Sequence, residues 1–429
     1  MAFPALGVLA AAPLYLLLDT AVVGRLGAMD LAALGAATTI QAQVTTQLTF
    51  LSYGTTSRSA QLHGAGKTSA AIAEGVQATW IALLVGVLLL GIVAGSAPTL
   101  CRWLAGDPVV AAEATTWLQV ASCGIPLILA TMAGNGWLRG IQNTRLPLLF
   151  TLAGIVPSAA LVPVLVGHWG IVGSAWANLI GESITSLCFL TALVRMHRGS
   201  WRPDFSVMKH QLSLGKNLIA RSMLFQVSFV SAAAVAGRFG ATSLAAHQVM
   251  LQLWSFLSLV LDSLAIAAQS LIGALVGGAT VGAATPQAAQ RAGQQILKYS
   301  MLLAVGLSGV LLLGHWAIPR IFTQDPSVLG TIQPLWWILS GMIVLGGVVF
   351  ALDGVLLGAA DAVFLRNATA LAAIAGFLPM IWLSFFFDWG VTGIWWGLAA
   401  FILLRMLAVL WRFYSQSWLV RLRFGSDKA

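Results

Sequence analysis

Three aspartates interrupt stretches that otherwise read as apolar helix: Asp19 in "YLLLDTAVVG", Asp262 in "LVLDSLAIAAQS" and Asp353 in "FALDGVLLG". A carboxylate is costly in hydrocarbon, so an acid in such a place is expected to do chemistry, to be paired, or to face water. Desolvation disfavours the ionised form of a carboxyl, and an acid at a helix centre can therefore bind and release a proton near neutral pH. A Na⁺ ion would need several oxygens to replace its hydration shell, so an isolated acid suits a proton better. Asp262 and Asp353, both in the second half, are candidates for attracting an organic cation. Tyr15, Gln41, Gln43, Gln47, Asn178 and Gln252 read equally as hydrogen-bonding cavity groups and as polar links between helices. Glu182 is a weaker fourth acid. Met223, Met250, Phe225, Phe229, Trp254 and Phe256 offer faces that suit either a flat cation or plain packing.

These groups need a frame that holds them at membrane depth, and the composition supplies one. Of 429 residues, 59% are hydrophobic and 8% charged, with a mean hydropathy of +0.90, far from the roughly 25% charged residues of a soluble domain. The chain reads as an all-α integral membrane protein, without the alternating strands of a barrel. A net charge of +9 does not imply nucleic acid, because the basic residues are scattered singly between apolar segments. Cys101, Cys123 and Cys188 lack CxxC spacing and the histidines form no ligand pair, so neither a disulfide nor a metal site is expected. No removable signal peptide is expected, since the apolar first segment lacks a basic n-region and an A-x-A site.

Apolar spans of about 20 residues predict twelve transmembrane helices: near 2–23, 29–57, 76–97, 113–134, 146–166 and 171–196, then 212–237, 243–277, 296–315, 332–356, 364–387 and 391–414. The spans at 29–57 and 243–277 are long and polar, and are expected to tilt or to project from the bilayer. "MHRGSWRPDFSVMKH" separates the two sixes, giving a first lobe over 1–196, a linker over 197–210 and a second lobe with a basic tail over 211–429. The halves repeat at a spacing of about half the chain. "VVGRLGAMDLAA" returns as "VAGRFGATSLAA", "AGDPVV" as "TQDPSV", "NGWLRGIQNT" as "DGVLLGAADA", and "WGIVGSAW" as "WGVTGIWW". Six helices per copy insert both copies in one orientation, so a parallel pseudo-two-fold repeat is expected. The Asp-Pro pairs at Asp107 and Asp325 read as helix caps.

Basic residues set the orientation. With both termini cytoplasmic, the outer loops hold four, Arg25, Arg102, Arg238 and Arg320, and nearly all others fall inside. Arg221 and Arg405 lie within or near helices and are expected to snorkel to the cytoplasmic interface.

The residues now on the page resemble a known family. A proline at Pro4, then "PLYLLLDTAVVGRLG", "LAALG" in the next helix and "FALDGVLLGAADA" in the second half are similar to the multidrug and toxic compound extrusion (MATE) transporters, in their DinF-like branch. The resemblance implies an exporter of organic, often cationic, compounds in exchange for H⁺ or Na⁺. It assigns proton coupling to Asp19, bending of helix 1 to Pro4, and the helix-10 acid to Asp353. Relatives carry an Asn and, four residues on, an Asp-Pro in helix 5, where "VPSAALVP" has Ser158 and Val162 before Pro163. The expectation is an H⁺-coupled antiporter of the plasma membrane working as a monomer in the lipid bilayer, with Asp19 as coupling acid and Asp262, Asp353, Tyr15, Gln47 and Asn178 as substrate contacts. No cofactor or nucleic-acid partner is expected. A Na⁺-coupled exporter is the alternative, as is a lipid-linked precursor flippase, which would call for a strongly cationic cavity. No nucleophile, Walker or His motif points to an enzyme.

Overall fold

The computed structural model describes residues 2–419, so Arg421, Arg423 and Lys428 of the expected basic tail lie outside the described residues. Packing divides the chain into two compact units, Met1–Gly215 and Lys216–Ala429. The first contains α1 (Ala2–Val23), α2 (Ala28–Gln47), α3 (Phe50–Gly64), α4 (Thr68–Ala105), α5 (Pro108–Ser122), α6 (Ile125–Gly140), α7 (Arg145–Trp169) and α8 (Ile171–Met196). Then follow α9 (Phe205–Arg238), α10 (Ala241–Thr280), α11 (Pro286–Leu313), the short α12 (Ile318–Phe322), α13 (Pro326–Gly358), α14 (Ala362–Leu371), α15 (Leu378–Phe386) and α16 (Gly390–Tyr414). A π-helical turn, Ala372–Phe377, joins α14 to α15. No strand occurs among the described residues.

Each unit thus has six membrane segments. Ten helices, one of them running from α14 through α15, are long and apolar enough to cross a bilayer, and α5 with α6, bent by 45°, makes an eleventh. The twelfth is α2 with α3, whose threonines, serines and glutamines make it the most polar segment. The two spans expected to be irregular resolve differently: the first is broken at Leu48 and Thr49, whereas its counterpart is the single helix α10. The expected linker is also shorter than 197–210, because α9 begins at Phe205.

Apolar side chains face outward as well as inward, as lipid demands. On α4, Leu84, Val87, Leu88 and Ile92 form an exposed stripe at helical spacing, while the buried face carries Glu74 and Gln77. Trp103, Trp169, Trp316 and Trp389 stand exposed at helix ends, where indoles favour the bilayer interface.

The sequence repeat has a physical basis in matched positions. Gly170 and Gly390, from the two Trp-Gly copies, take positive φ of 60° and 63° at the turns into α8 and α16, a region closed to most side chains. Asp107 and Asp325 both cap helices that start with proline, the first accepting from the amides of Val109 and Val110 and the second from that of Ser327. In "NGWLRG", Gly136 and Gly140 lie against Thr55 and Ser59 of α3; in "DGVLLG", Gly354 and Gly358 lie against the backbone of Ala265 and Gln269 of α10. Both copies are small-xxx-small contacts that bring two helices close.

A side chain at position 354 would meet immovable backbone. Gly354→Leu is expected to lower stability by about 1–3 kcal/mol or more, seen as a drop in the thermal unfolding midpoint in detergent. Gly341→Ala on the same helix, where an added Cβ meets nothing, should leave the midpoint unchanged.

Candidate functional site

Helical spacing assembles the polar groups of the first unit. On α1, Tyr15 and Asp19 are four residues apart, and on α8 Ser174, Asn178 and Glu182 are spaced alike, so each set shares one face. Thr38, Gln41 and Thr45 do the same on α2. All of these but Ser174 line a cavity of about 310 Å³, with Trp117, Ile128, Met132 and Ile155 as apolar wall. The volume lies at the lower end of that of small-molecule pockets. Asp19 and Glu182 both line it, and no Lys, Arg or His does.

Asp19 is held from behind. Its Oδ2 accepts a hydrogen bond from the Ser174 hydroxyl at 2.8 Å, and Ser174 accepts in turn from the Trp117 indole N–H at 3.2 Å. All three residues are buried. The other carboxyl oxygen, Oδ1, is buried with no protein partner. One oxygen is therefore positioned while the other is left to take a proton or a ligand donor. A protonated carboxyl gains a donor and an ionised one only accepts, so the same oxygen can serve either role.

Close packing of α7 on α8 sets the far wall. An added Cβ at Gly154 would strike Thr185, and one at Gly181 would strike Ser158. Ser158, where relatives are said to carry an amide, donates its hydroxyl to the Ala177 carbonyl at 2.7 Å. Val162 is fully buried and takes no part in the cavity wall. The second carboxyl comes instead from α8. Spacing puts Glu182 on one face with Ser174 and Asn178, but that this face meets Asp19 of α1 follows only from helix packing.

Tyr15 and Asn178 line this cavity together with Asp19. Gln47, the last residue of α2, does not line this cavity, whereas Gln41 and Thr38 of the same helix do. Pro4 lies in the first described turn of α1, where a missing amide breaks no intrahelical bond. The interior proline is Pro13. Its ring removes the bond to the Leu9 carbonyl, two residues before Tyr15.

The acids of the second unit are engaged otherwise. Asp353 on α13 accepts at one oxygen, Oδ2, from Arg221 of α9 and from Arg405 of α16, the latter at 2.5 Å. Arg405 is buried, and its guanidinium lies 4.9 Å from the centroid of the Phe225 ring and 5.7 Å from that of Phe401. Both arginines, expected to snorkel outward, turn inward because Asp353 and the ring faces replace water. An organic cation would have to compete with two guanidiniums for Asp353. Asp262 is half-buried on α10 and belongs to the same unit. No group of three or more His, Cys, Asp or Glu able to hold a metal occurs among the described residues.

Comparison with known proteins bears on these features. The MatE family model matches residues 4–164 and 218–382. The chain is 29% identical to "Protein DETOXIFICATION 44, chloroplastic" of Arabidopsis thaliana over 96% of its length and 81% of that protein. It is 28% identical to "DNA damage-inducible protein F" of Escherichia coli (strain K12) over 93% and 88%. A crystal structure of "MATE in the bent conformation" superposes with a TM-score of 0.89 at 19% identity, covering 100% of this chain and 96% of that one.

Two substitutions test the geometry. Asp353→Ala strands the buried guanidinium of Arg405 and the half-buried one of Arg221 and is expected to cost about 3–5 kcal/mol of stability, whereas pairing it with Arg405→Met should recover part of the lost unfolding temperature. Ser174→Ala should slow transport several-fold at an unchanged yield of folded protein, and Ser174→Thr, which keeps the hydroxyl, should restore it.

Proposed function

Because the chain belongs to the MatE family of transporters, we propose that this multi-pass membrane protein is an H⁺-coupled antiporter, exporting amphipathic organic cations through competition with protons for the acids of the first unit. It is a multidrug and toxic compound efflux transporter and not an enzyme. H⁺ as coupling ion, a cationic substrate and the residue roles below are part of this proposal. It rests above all on the cavity of α1, α2, α7 and α8, where two carboxyls stand with no cationic side chain among the lining residues.

Such a site changes its preference with protonation. With Asp19 and Glu182 ionised, the cavity attracts a positive ligand strongly, since a low-dielectric wall screens little. Protonation of either removes a charge and replaces an acceptor with a donor, weakening the hold on a cation. Binding of cation and proton is then mutually exclusive, which is the thermodynamic requirement for exchange: each ligand lowers the affinity for the other by the same factor. Asp19 carries the coupling because Ser174 fixes one of its oxygens and leaves the other for the proton. Glu182, Tyr15, Asn178 and Gln41 contact the substrate. We retain Asp262 only as a candidate contact, and assign Asp353 to holding α9, α13 and α16 together.

The proton is favoured over Na⁺ by the donor set. Val162 contributes no oxygen to the lining, and a single titratable acid is enough to carry a proton, whereas Na⁺ would need several oxygens gathered at one point. The flippase reading, which needs a strongly cationic cavity, is disfavoured by the same lining. We infer a monomer, since this cavity is complete within one unit, and a plasma-membrane location with both termini cytoplasmic from the distribution of basic residues.

Proteoliposomes carrying a pH gradient should accumulate a fluorescent organic cation. Asp19→Asn is expected to reduce uptake to the level of empty vesicles while still binding the cation. Glu182→Gln should weaken binding of the cation more than it alters proton dependence. Uptake driven by a Na⁺ gradient at equal pH, or full activity of Asp19→Asn, would overturn the proton assignment.

A further inference from the structure

Residues 197–206 lie beside the beginning of α4 and form with it an open pocket of about 950 Å³, lined among others by Lys67, Ser69, Gln77, His197, Arg202 and Asp204. Gln77 pins this segment, donating to the Arg202 carbonyl at 3.1 Å and accepting from the Asp204 amide at 2.7 Å. The pocket is therefore a built feature and not a gap beside a loose loop.

Three kinds of anion-seeking group meet there. First, α4 starts without a side-chain cap, and its first intrahelical amide bond runs from Ala71 to the Lys67 carbonyl at 2.9 Å. The amides of Thr68, Ser69 and Ala70 then stand at the positive end of a 38-residue helix without intrahelical acceptors. Second, His197 is only 6% exposed; its Nε2 lies 3.1 Å from the Ser200 carbonyl, and its Nδ1 is buried with no protein partner. Third, Lys67 and Arg202 bring cationic side chains to the rim. The one carboxylate that lines the pocket, Asp204, already caps α9 through the amides of Ser206 at 2.9 Å and Val207 at 3.3 Å.

The surroundings indicate where an anion would come from. Trp80 donates its indole N–H to the Trp201 carbonyl at 2.9 Å, and both rings are partly exposed, the behaviour of indoles at headgroup depth. Trp201 also packs edge-on against the His197 imidazole, with ring centroids 5.2 Å apart.

We propose that this pocket is a phosphate site, occupied by the phosphodiester of an anionic lipid at the membrane face that carries residues 197–206. The phosphate oxygens take the free amides of α4, Lys67 and Arg202 supply the balancing charge, and the buried Nδ1 of His197, which has no protein partner, is the remaining polar group left for the ligand. Lys67, Arg202 and Asp204 are the charged groups that face the ring across the pocket. Occupancy would tie the 197–206 segment to α4 through a ligand in addition to Gln77. This site is separate from the acidic cavity, and its test does not depend on transport.

The full chain in detergent, titrated with phosphatidylglycerol or phosphatidylcholine and read by native mass spectrometry, tests this. Wild type is expected to retain phosphatidylglycerol in preference to phosphatidylcholine, and Lys67→Gln/Arg202→Gln should lower that retention about thirtyfold, at about 1 kcal/mol for each cation lost. Both side chains are exposed, so an unchanged unfolding temperature without lipid verifies that the variant is folded. Equal retention by wild type and variant overturns the site. If inorganic phosphate protects wild type, but not the variant, from heat as well as phosphatidylglycerol does, the phosphate site stands and a lipid as its occupant falls.

Discussion

A carboxylate in hydrocarbon must be paired, hydrogen-bonded or met by solvent, and the interior of each unit is arranged around how its acids meet that demand. In the first unit Asp19 lines a cavity, with one oxygen fixed by the chain of Trp117 and Ser174 and the other buried without a protein partner. In the second, Asp353 is met by two guanidiniums, themselves covered by Phe225 and Phe401. The first solution leaves an ionisable group exchangeable and the second immobilises one. A transporter needs the former at its working site, and the latter suits a joint between helices.

The two units share a scaffold and differ in chemistry. Turn glycines, Asp-Pro caps and small-residue contacts recur at matched places because they answer to backbone geometry, which is the same in both copies. Interior polar residues are free to diverge once the scaffold is set. Asn135 and Asp353 occupy matched positions before a small-xxx-small contact, yet only Asp353 binds arginines. Substitution within the first unit follows the same logic. Position 162 holds a buried valine and position 158 a serine used for packing, while Glu182 of α8 brings a carboxyl to the same cavity from an adjoining helix.

Charge at the membrane surface answers to different rules. Single basic residues near helix ends orient the chain, but Lys67 and Arg202 also gather around an uncapped helix start and a buried imidazole. The first role needs only position along the sequence, whereas the second needs segments more than a hundred residues apart to meet. The proposed phosphate site thus uses residues whose scattered placement had suggested topology alone.

Hydropathy and internal repetition determined the class, the twelve segments and their division into two sixes, because burial in lipid imposes a length and a composition that can be read one residue at a time. Asp19 was legible for the same reason, as a charge where none is cheap, and Tyr15 and Asn178 came with it. Partners were not legible. Whether an acid meets a cavity, a hydroxyl or a guanidinium depends on which helix faces adjoin, and helices with apolar residues on all sides carry little periodicity to say so. Hence spacing gives no rank to Glu182, no preference between Gln41 and Gln47, and no sign that Arg221 and Arg405 pair with Asp353. Only tertiary structure decided those pairings, since each is set by contacts between helices distant in sequence whose faces are fixed by packing and not by pattern.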